Sequence, residues 1–232
     1  MIVLAIDTSN QPLSLAVVKD DEVMGELTLN IKRNHSIQAM TAVESLLATL
    51  DLSADQIERI VVAKGPGSYT GVRIGVTLAK TLAWSLKIPL VGVSSLLSLA
   101  WPGKQFDGIV SPIMNARRGR VYTGLYTFDE TWMELEEDRN VSMEEWLDLL
   151  ADREEAVLFC GADVDVFWEQ IQARLGDRAK RVSASEEVPR MAEMAIYASE
   201  LADEDVHEFV PNYIRMAEAE ANWLKEQEKN NG

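Results

Sequence analysis

Lys64-Gly65-Pro66-Gly67-Ser68-Tyr69-Thr70-Gly71-Val72-Arg73-Ile74-Gly75 is the stretch that decides how this chain is built. It continues an apolar run, Arg59 to Lys64, that reads as a buried strand, and it opens a helical pattern reaching about Leu86. Pro89 to Val93 then supplies a second short apolar strand, so the glycine-rich turn sits inside a strand-helix-strand unit. Upstream, Ile2 to Ile6, Leu13 to Lys19 and Glu22 to Leu29 read as three strands joined by polar turns. Helical spacing begins at Ser36, with Ile37, Met40, Val43, Leu47 and Leu50 recurring every three or four residues, and Asp51 to Gln56 is a polar connection. The predicted order of this part is β-β-β-α-β-α-β.

The periodicity breaks at Trp101-Pro102-Gly103, which places a domain boundary there and divides the chain into 1–102 and 103–232. Beyond it, Gly108 to Met114 and Arg120 to Phe128 read as strands joined by Asn115-Ala116-Arg117-Arg118-Gly119. Ser142 with Glu145 forms a capping box, in which each side chain satisfies a free backbone N–H at a helix start. A strand at Ala156 to Cys160, a helix from Asp163 to Leu175, a short strand at Arg181 and Val182 and a helix from Pro189 to Leu201 follow. Met216 to Lys229 has helical composition.

Composition narrows the functions available. Of 232 residues, 38 are acidic and 22 basic, a net charge of −16 that opposes a polyanion at long range, so tight RNA binding by this chain alone is not expected. The single cysteine, Cys160, has no partner for a disulfide, and His35 and His207 are too far apart to form a local metal motif. The opening MIVLAIDTSN lacks the basic and long apolar regions of a secretory signal, and no run is long enough to span a bilayer. A cytoplasmic protein with no membrane association, no metal and no bound cofactor is expected.

A glycine-rich turn feeding a helix aims backbone N–H groups at one point, so Gly65, Gly67, Ser68, Thr70, Gly71 and Arg73 are candidates for holding an anion. The nucleotide motifs do not fit. A P-loop needs Lys and then Ser or Thr after its last glycine, where this chain has Val72, and a dinucleotide fingerprint needs one fewer residue between Gly67 and Gly71. The structural alternative is preferred: Pro66 and Gly67 make a tight turn, Ser68 or Thr70 caps the helix, and Gly71 and Gly75 let it approach the sheet. Asp7, in Asp7-Thr8-Ser9, is placed as the metal-holding acid of phosphate-transfer enzymes is, but Asp7 to Leu13 holds Pro12 and no phosphate glycine. His35, at a helix start, has no carboxylate nearby in sequence to orient it. Arg117, Arg118 and Arg120 read as a solvated turn, and Cys160 as a buried small apolar residue.

Ile6-Asp7-Thr8-Ser9, Asn34-His35-Ser36, the stretch from Gly65 to Gly75 and Pro89-Leu90-Val91-Gly92-Val93-Ser94-Ser95-Leu96 together resemble the TsaB (YeaZ) family over the first hundred or so residues. The resemblance implies an α/β fold of two actin-like (ASKHA, RNase H-like) domains, with mixed sheets flanked by helices. It implies a non-catalytic accessory subunit paired with TsaD, which threonylcarbamoylates adenosine 37 of transfer RNAs reading ANN codons. The ATPase TsaE would dock on that heterodimer, transfer RNA would be met only through the complex, and a homodimer is possible alone. TsaD holds its metal partly with His-x-x-x-His, whereas His35 is followed four residues later by Ala39. No catalytic residue is therefore expected here. The absence of paired histidines also argues against a metallopeptidase.

The partner surface is expected on the two N-terminal helices. Ile37, Met40, Val43, Glu44 and Leu47 are its candidates on the first, and Val72, Val76, Ala79, Lys80 and Ala83 on the second. The opposing possibility is that these apolar residues form the one stripe that faces the chain's own sheet. The alternative function is an ATP-dependent kinase or phosphotransferase of actin-like fold, with Asp7 on metal and the glycine loop on phosphate.

Overall fold

The computed structural model describes residues 1–30 and 35–214. Strands β1 (Ile2–Asp7), β2 (Leu13–Lys19) and β3 (Glu22–Leu29) form an antiparallel meander, and β4 (Arg59–Ala63) and β5 (Leu90–Val93) add in parallel. The sheet order is β3-β2-β1-β4-β5. Side chains alternate across a strand, so β1 feeds two cores at once: Leu4 and Ile6 face one, Val3 and Ala5 the other.

Leu4 and Ile6 pack beneath α1 (His35–Thr49) and α2 (Tyr69–Leu86). On the opposite face lies α6 (Met191–Tyr197), which contacts β1, β2 and β3. A short helix that the sequence reading did not anticipate, α3 (Ser95–Ala100), packs against α6 and against β6 and β8 of a second sheet. One buried cluster, running from Val3 and Ala16 through Leu96 and Trp101 to Tyr126 and Leu158, therefore joins the two sheets.

The second sheet contains β6 (Ile109–Pro112), β7 (Met114–Asn115), β8 (Arg120–Asp129), β10 (Val157–Cys160) and β11 (Ala179–Arg181) in the order β11-β10-β6-β8-β7. The long strand β9 (Thr131–Ser142) pairs with β8 and was also unanticipated. Its charged run, Glu134 to Arg139, hides the alternation by which a strand is read. Helices α4 (Met143–Ala151) and α5 (Val164–Leu175) cover the outer face with Trp146, Leu147, Phe167 and Ile171. The Ser142 and Glu145 capping box starts α4 as expected.

Smaller shifts have local causes. The strand expected at Arg181 and Val182 begins earlier, at Ala179, where it pairs with Val157. The helix expected from Pro189 spans Met191–Tyr197 and tightens into a 3-10 turn, Ala198–Glu200. Met216 to Lys229 lies outside the described residues. No helix among the described residues is long and apolar enough to cross a membrane.

The stretch after α6 returns to the first sheet. Buried Arg59 donates to the carbonyls of Ala198 and Ser199 at 3.0 Å and of Leu201 at 3.2 Å, and pairs with Asp203. Glu204 bridges β5 through its N–H to the Leu90 carbonyl, while its carboxylate accepts from Lys64 Nζ at 2.9 Å and from Gly92 N–H at 2.9 Å. Lys80 Nζ donates to the carbonyls of His207 and Phe209 at 3.2 and 2.7 Å, and the Asn212 N–H donates to the Lys64 carbonyl at 2.7 Å. This strap ends where Tyr213 stacks on Tyr69, with ring centroids 5.1 Å apart.

Candidate functional site

A cleft of about 940 Å³ opens between the two sheets, lined from the first by Thr8 to Gln11 and by Gly67 to Gly71. Met114 to Arg117, Tyr122 and Asp163 line it from the second. The sequence-predicted loop thus borders a cleft between the two sheets, but its glycines serve the fold. A Cβ on Gly67 would stand 2.5 Å from the Ser9 carbonyl oxygen, one on Gly71 2.2 Å from that of Thr8, and one on Gly75 2.5 Å from Thr8 Oγ1. Contacts that short are impossible, so each glycine is required for the loop and α2 to lie against the β1–β2 turn.

The loop's hydrogen bonds run inward as well. Ser68 N–H donates to the Ser9 carbonyl at 2.8 Å, Thr8 Oγ1 donates to the Gly71 carbonyl at 2.7 Å, and Ser68 Oγ accepts from Gly71 N–H at 3.3 Å as the N-cap of α2. Gly65 exchanges two bonds of 3.1 Å with Ser95, its N–H to Ser95 Oγ and its carbonyl from Ser95 N–H. Of the other anion candidates, Thr70 is exposed at the cleft, and Arg73 is exposed beside Tyr69, donating to its hydroxyl at 3.0 Å with its guanidinium over the ring.

Asp7 is fully buried. Its Oδ1 accepts from the Ser9 N–H and hydroxyl, both at 2.6 Å, and Oδ2 lies 3.5 Å from the Ser98 hydroxyl of α3. Burial pushes this carboxyl above the usual carboxylate range, with Ser9, Asn10 and Ser98 pulling it back. A carboxyl so enclosed is a structural tie between β1 and α3. The described residues contain no group of three His, Cys, Asp or Glu side chains placed to hold a metal ion.

The remaining candidates separate. The His35 and Ile37 side chains lie outside the described residues. Arg117 lines the cleft, Arg117 and Arg118 take positive φ in the turn, and Arg120 donates to the Asn140 side chain at 2.6 Å and carbonyl at 2.7 Å. Cys160 is buried and its thiol is pushed up by that burial, which leaves it unreactive.

The partner-surface candidates need correction. Val43, Leu47, Val72, Val76, Ala79 and Ala83 are buried in the core beneath the first sheet's helices, because they form the stripe each helix turns toward its own strands. Lys80 is occupied by the strap. Met40 and Glu44 are exposed on α1, as are Arg73, Thr77 and Trp84 on α2, with Trp84 64% accessible. The sequence reading missed Trp84, whose spacing of four residues from Lys80 and seven from Thr77 was the available signal.

Two mixed sheets with helices on their faces and a cleft between them define a two-sheet α/β protein. A family model described as TsaD, tRNA N6-adenosine threonylcarbamoyltransferase, matches residues 22–223. The tRNA threonylcarbamoyladenosine biosynthesis protein TsaB of Bacillus subtilis is 49% identical over 228 residues, covering 98% of this chain and 100% of that one. Two solved structures from Pseudomonas aeruginosa share the fold. One, with similarity to peptidase YeaZ, has a TM-score of 0.78 at 24% identity and covers 92% of this chain and 99% of that one. The other, YeaZ, has a TM-score of 0.75 at 21% identity, covering 91% and 100%. The chain belongs to the TsaD-like family and, within it, to the TsaB (YeaZ) proteins of tRNA threonylcarbamoyladenosine biosynthesis.

Proposed function

We propose that this chain is a non-catalytic, cytoplasmic subunit that supports TsaD in threonylcarbamoylating transfer RNA, and that it works by presenting a surface. The observation that carries this reading is the packing of the glycine loop: Gly71 and Gly67 lie against the Thr8 and Ser9 carbonyl oxygens, and the Ser68 N–H is already spent on Ser9. Asp7, the acid a phosphate-transfer site would need, is sealed beneath the same turn. The surface is the exposed side of α1 and α2, centred on Met40, Glu44 and Trp84. On this reading the chain comprises two actin-like domains, 1–102 and 103–232, with the strap after α6 clamped back on the first. TsaE docks on the heterodimer, transfer RNA is met through the complex, and the same helices pair with a second copy when TsaD is absent.

The test is to mix the purified chain with the TsaD of its own organism and follow association by size-exclusion chromatography with light scattering, alongside modification of transfer RNA. A one-to-one complex, with modification only when both chains are present, is the expected result. No association, together with ATP turnover by this chain alone, overturns the proposal.

A further inference from the structure

Ser94 and Ser95 are consecutive residues with partners in different parts of the fold. Ser95 holds Gly65 by its two hydrogen bonds and so fixes the start of the glycine loop. Ser94, the N-cap of α3, donates from Oγ to Asp138 Oδ2 at 2.5 Å while accepting from Leu96 and Leu97 N–H at 3.1 and 3.2 Å. Asp138 belongs to β9 and takes a second donor, the Tyr126 hydroxyl of β8, on Oδ1. The second sheet thus reaches the glycine loop through two adjacent serines.

The space for this carboxyl is built into the hairpin. A Cβ on Gly124 would stand 2.7 Å from Asp138 Oδ1 and 3.1 Å from Tyr126 Oη, so only glycine leaves the pair in place. The β8–β9 ladder shifts register on both sides of Leu125, an irregularity of the kind that re-aims a side chain. Burial drives the Asp138 carboxyl above its usual range, against the two hydroxyls. Its neighbours on β9 are acidic: Glu134 is raised by its own burial and then by Asp138 and Glu137. Lys104, from the turn after α3, lies over the Trp101 and Phe128 rings.

We propose that Ser94, Asp138 and Tyr126 form a proton-controlled latch that sets how firmly the second sheet is held to the glycine loop and to the cleft it lines. Ser94 Oγ already accepts two N–H groups, so it can only donate to Asp138. An added proton therefore belongs on Oδ1, where Tyr126 Oη can accept it. A carboxyl that binds its proton more tightly when enclosed than when wet favours the enclosed state as pH falls. The latch closes on protonation and loosens as pH rises through the carboxyl's elevated range. This concerns the chain's own two halves and stands whether or not TsaD is the partner.

Hydrogen-deuterium exchange of the full chain between pH 5 and pH 9, corrected for intrinsic rates, reads the latch at peptides covering β8, β9 and residues 65–71. Protection is expected to fall with rising pH in one transition, and Asp138→Asn is expected to abolish it. Tyr126→Phe, which removes a donor to the ionised form, should move the midpoint up by about one pH unit. The same transition in Asp138→Asn, or a wild-type profile without one, overturns the proposal. If Asp138→Asn does not fold, the Tyr126→Phe midpoint decides: a shift upward supports the latch and an unchanged midpoint overturns it.

Discussion

The carbonyl oxygen of Thr8 stands 2.2 Å from where a Cβ on Gly71 would sit, so these two residues define how closely α2 approaches the first hairpin. Gly71→Ala forces a backbone shift at a fully packed contact. It is expected to destabilise the protein by about 3 kcal/mol, as read by urea unfolding. A loss within about 0.5 kcal/mol, the range of an ordinary surface substitution, would show that the turn yields easily.

Lys80 has an equally direct role, gathering the His207 and Phe209 carbonyls onto α2. Replacing it by Met keeps the aliphatic stem and removes the donors. About 1 kcal/mol of stability should go, and limited proteolysis should cut within 204–213 several times faster than in the parent chain. Unchanged cleavage would mean that Phe209 and Glu204 hold the strap unaided.

Asp7 makes a pH-dependent prediction with a defined sign. Its folded-state carboxyl is raised, so the stability it contributes is present below the unfolded value near 4 and is lost as pH rises through the folded value. Asp7→Asn should therefore gain on the wild type as the buffer moves from pH 4 to pH 8, in chemical denaturation at each pH. A gap that stays constant with pH, or widens toward acid, would contradict this account.

The helix surfaces give a paired experiment. Met40→Asp places a charge on an exposed side chain and should leave the melting temperature within a degree or two while weakening TsaD association at least tenfold. Val76→Asp buries an unpaired charge in the core under α1 and α2 and should unfold the protein or destabilise it by about 4 kcal/mol or more. Full TsaD binding by folded Met40→Asp would remove α1 from the interface.

Much of the fold was legible in the sequence because the first sheet is written in uninterrupted apolar runs such as Ile2 to Ile6, and the helices in three- and four-residue spacing. What escaped was set by tertiary contact. The helix α3 spans Ser95–Ala100, too short for its periodicity to register, and its start depends on Ser94 as cap. In β9, half-buried Asp138 sits where a strand pattern asks for an apolar residue, because the register shifts in the β8–β9 ladder and the hydroxyl donors Ser94 and Tyr126 accommodate it there. On the helices proposed for the partner surface, spacing marks the buried stripe of Val72, Val76 and Ala79, and exposed Trp84 stands out only once that stripe is placed. The glycine loop packs on the Thr8–Ser9 turn, a counterpart that could not be paired with it from sequence.

Arg59 has a consequence for synthesis. Its guanidinium is buried on carbonyls of Ala198, Ser199 and Leu201 that lie 139 to 142 positions further along the chain. At translation rates of roughly 5–20 residues per second, that strand emerges from the ribosome on the order of ten seconds before the groups that satisfy it. During that interval Arg59 has only water in place of its carbonyl acceptors and β5 lacks its bridge to Glu204, so the first sheet is finished last although it is made first.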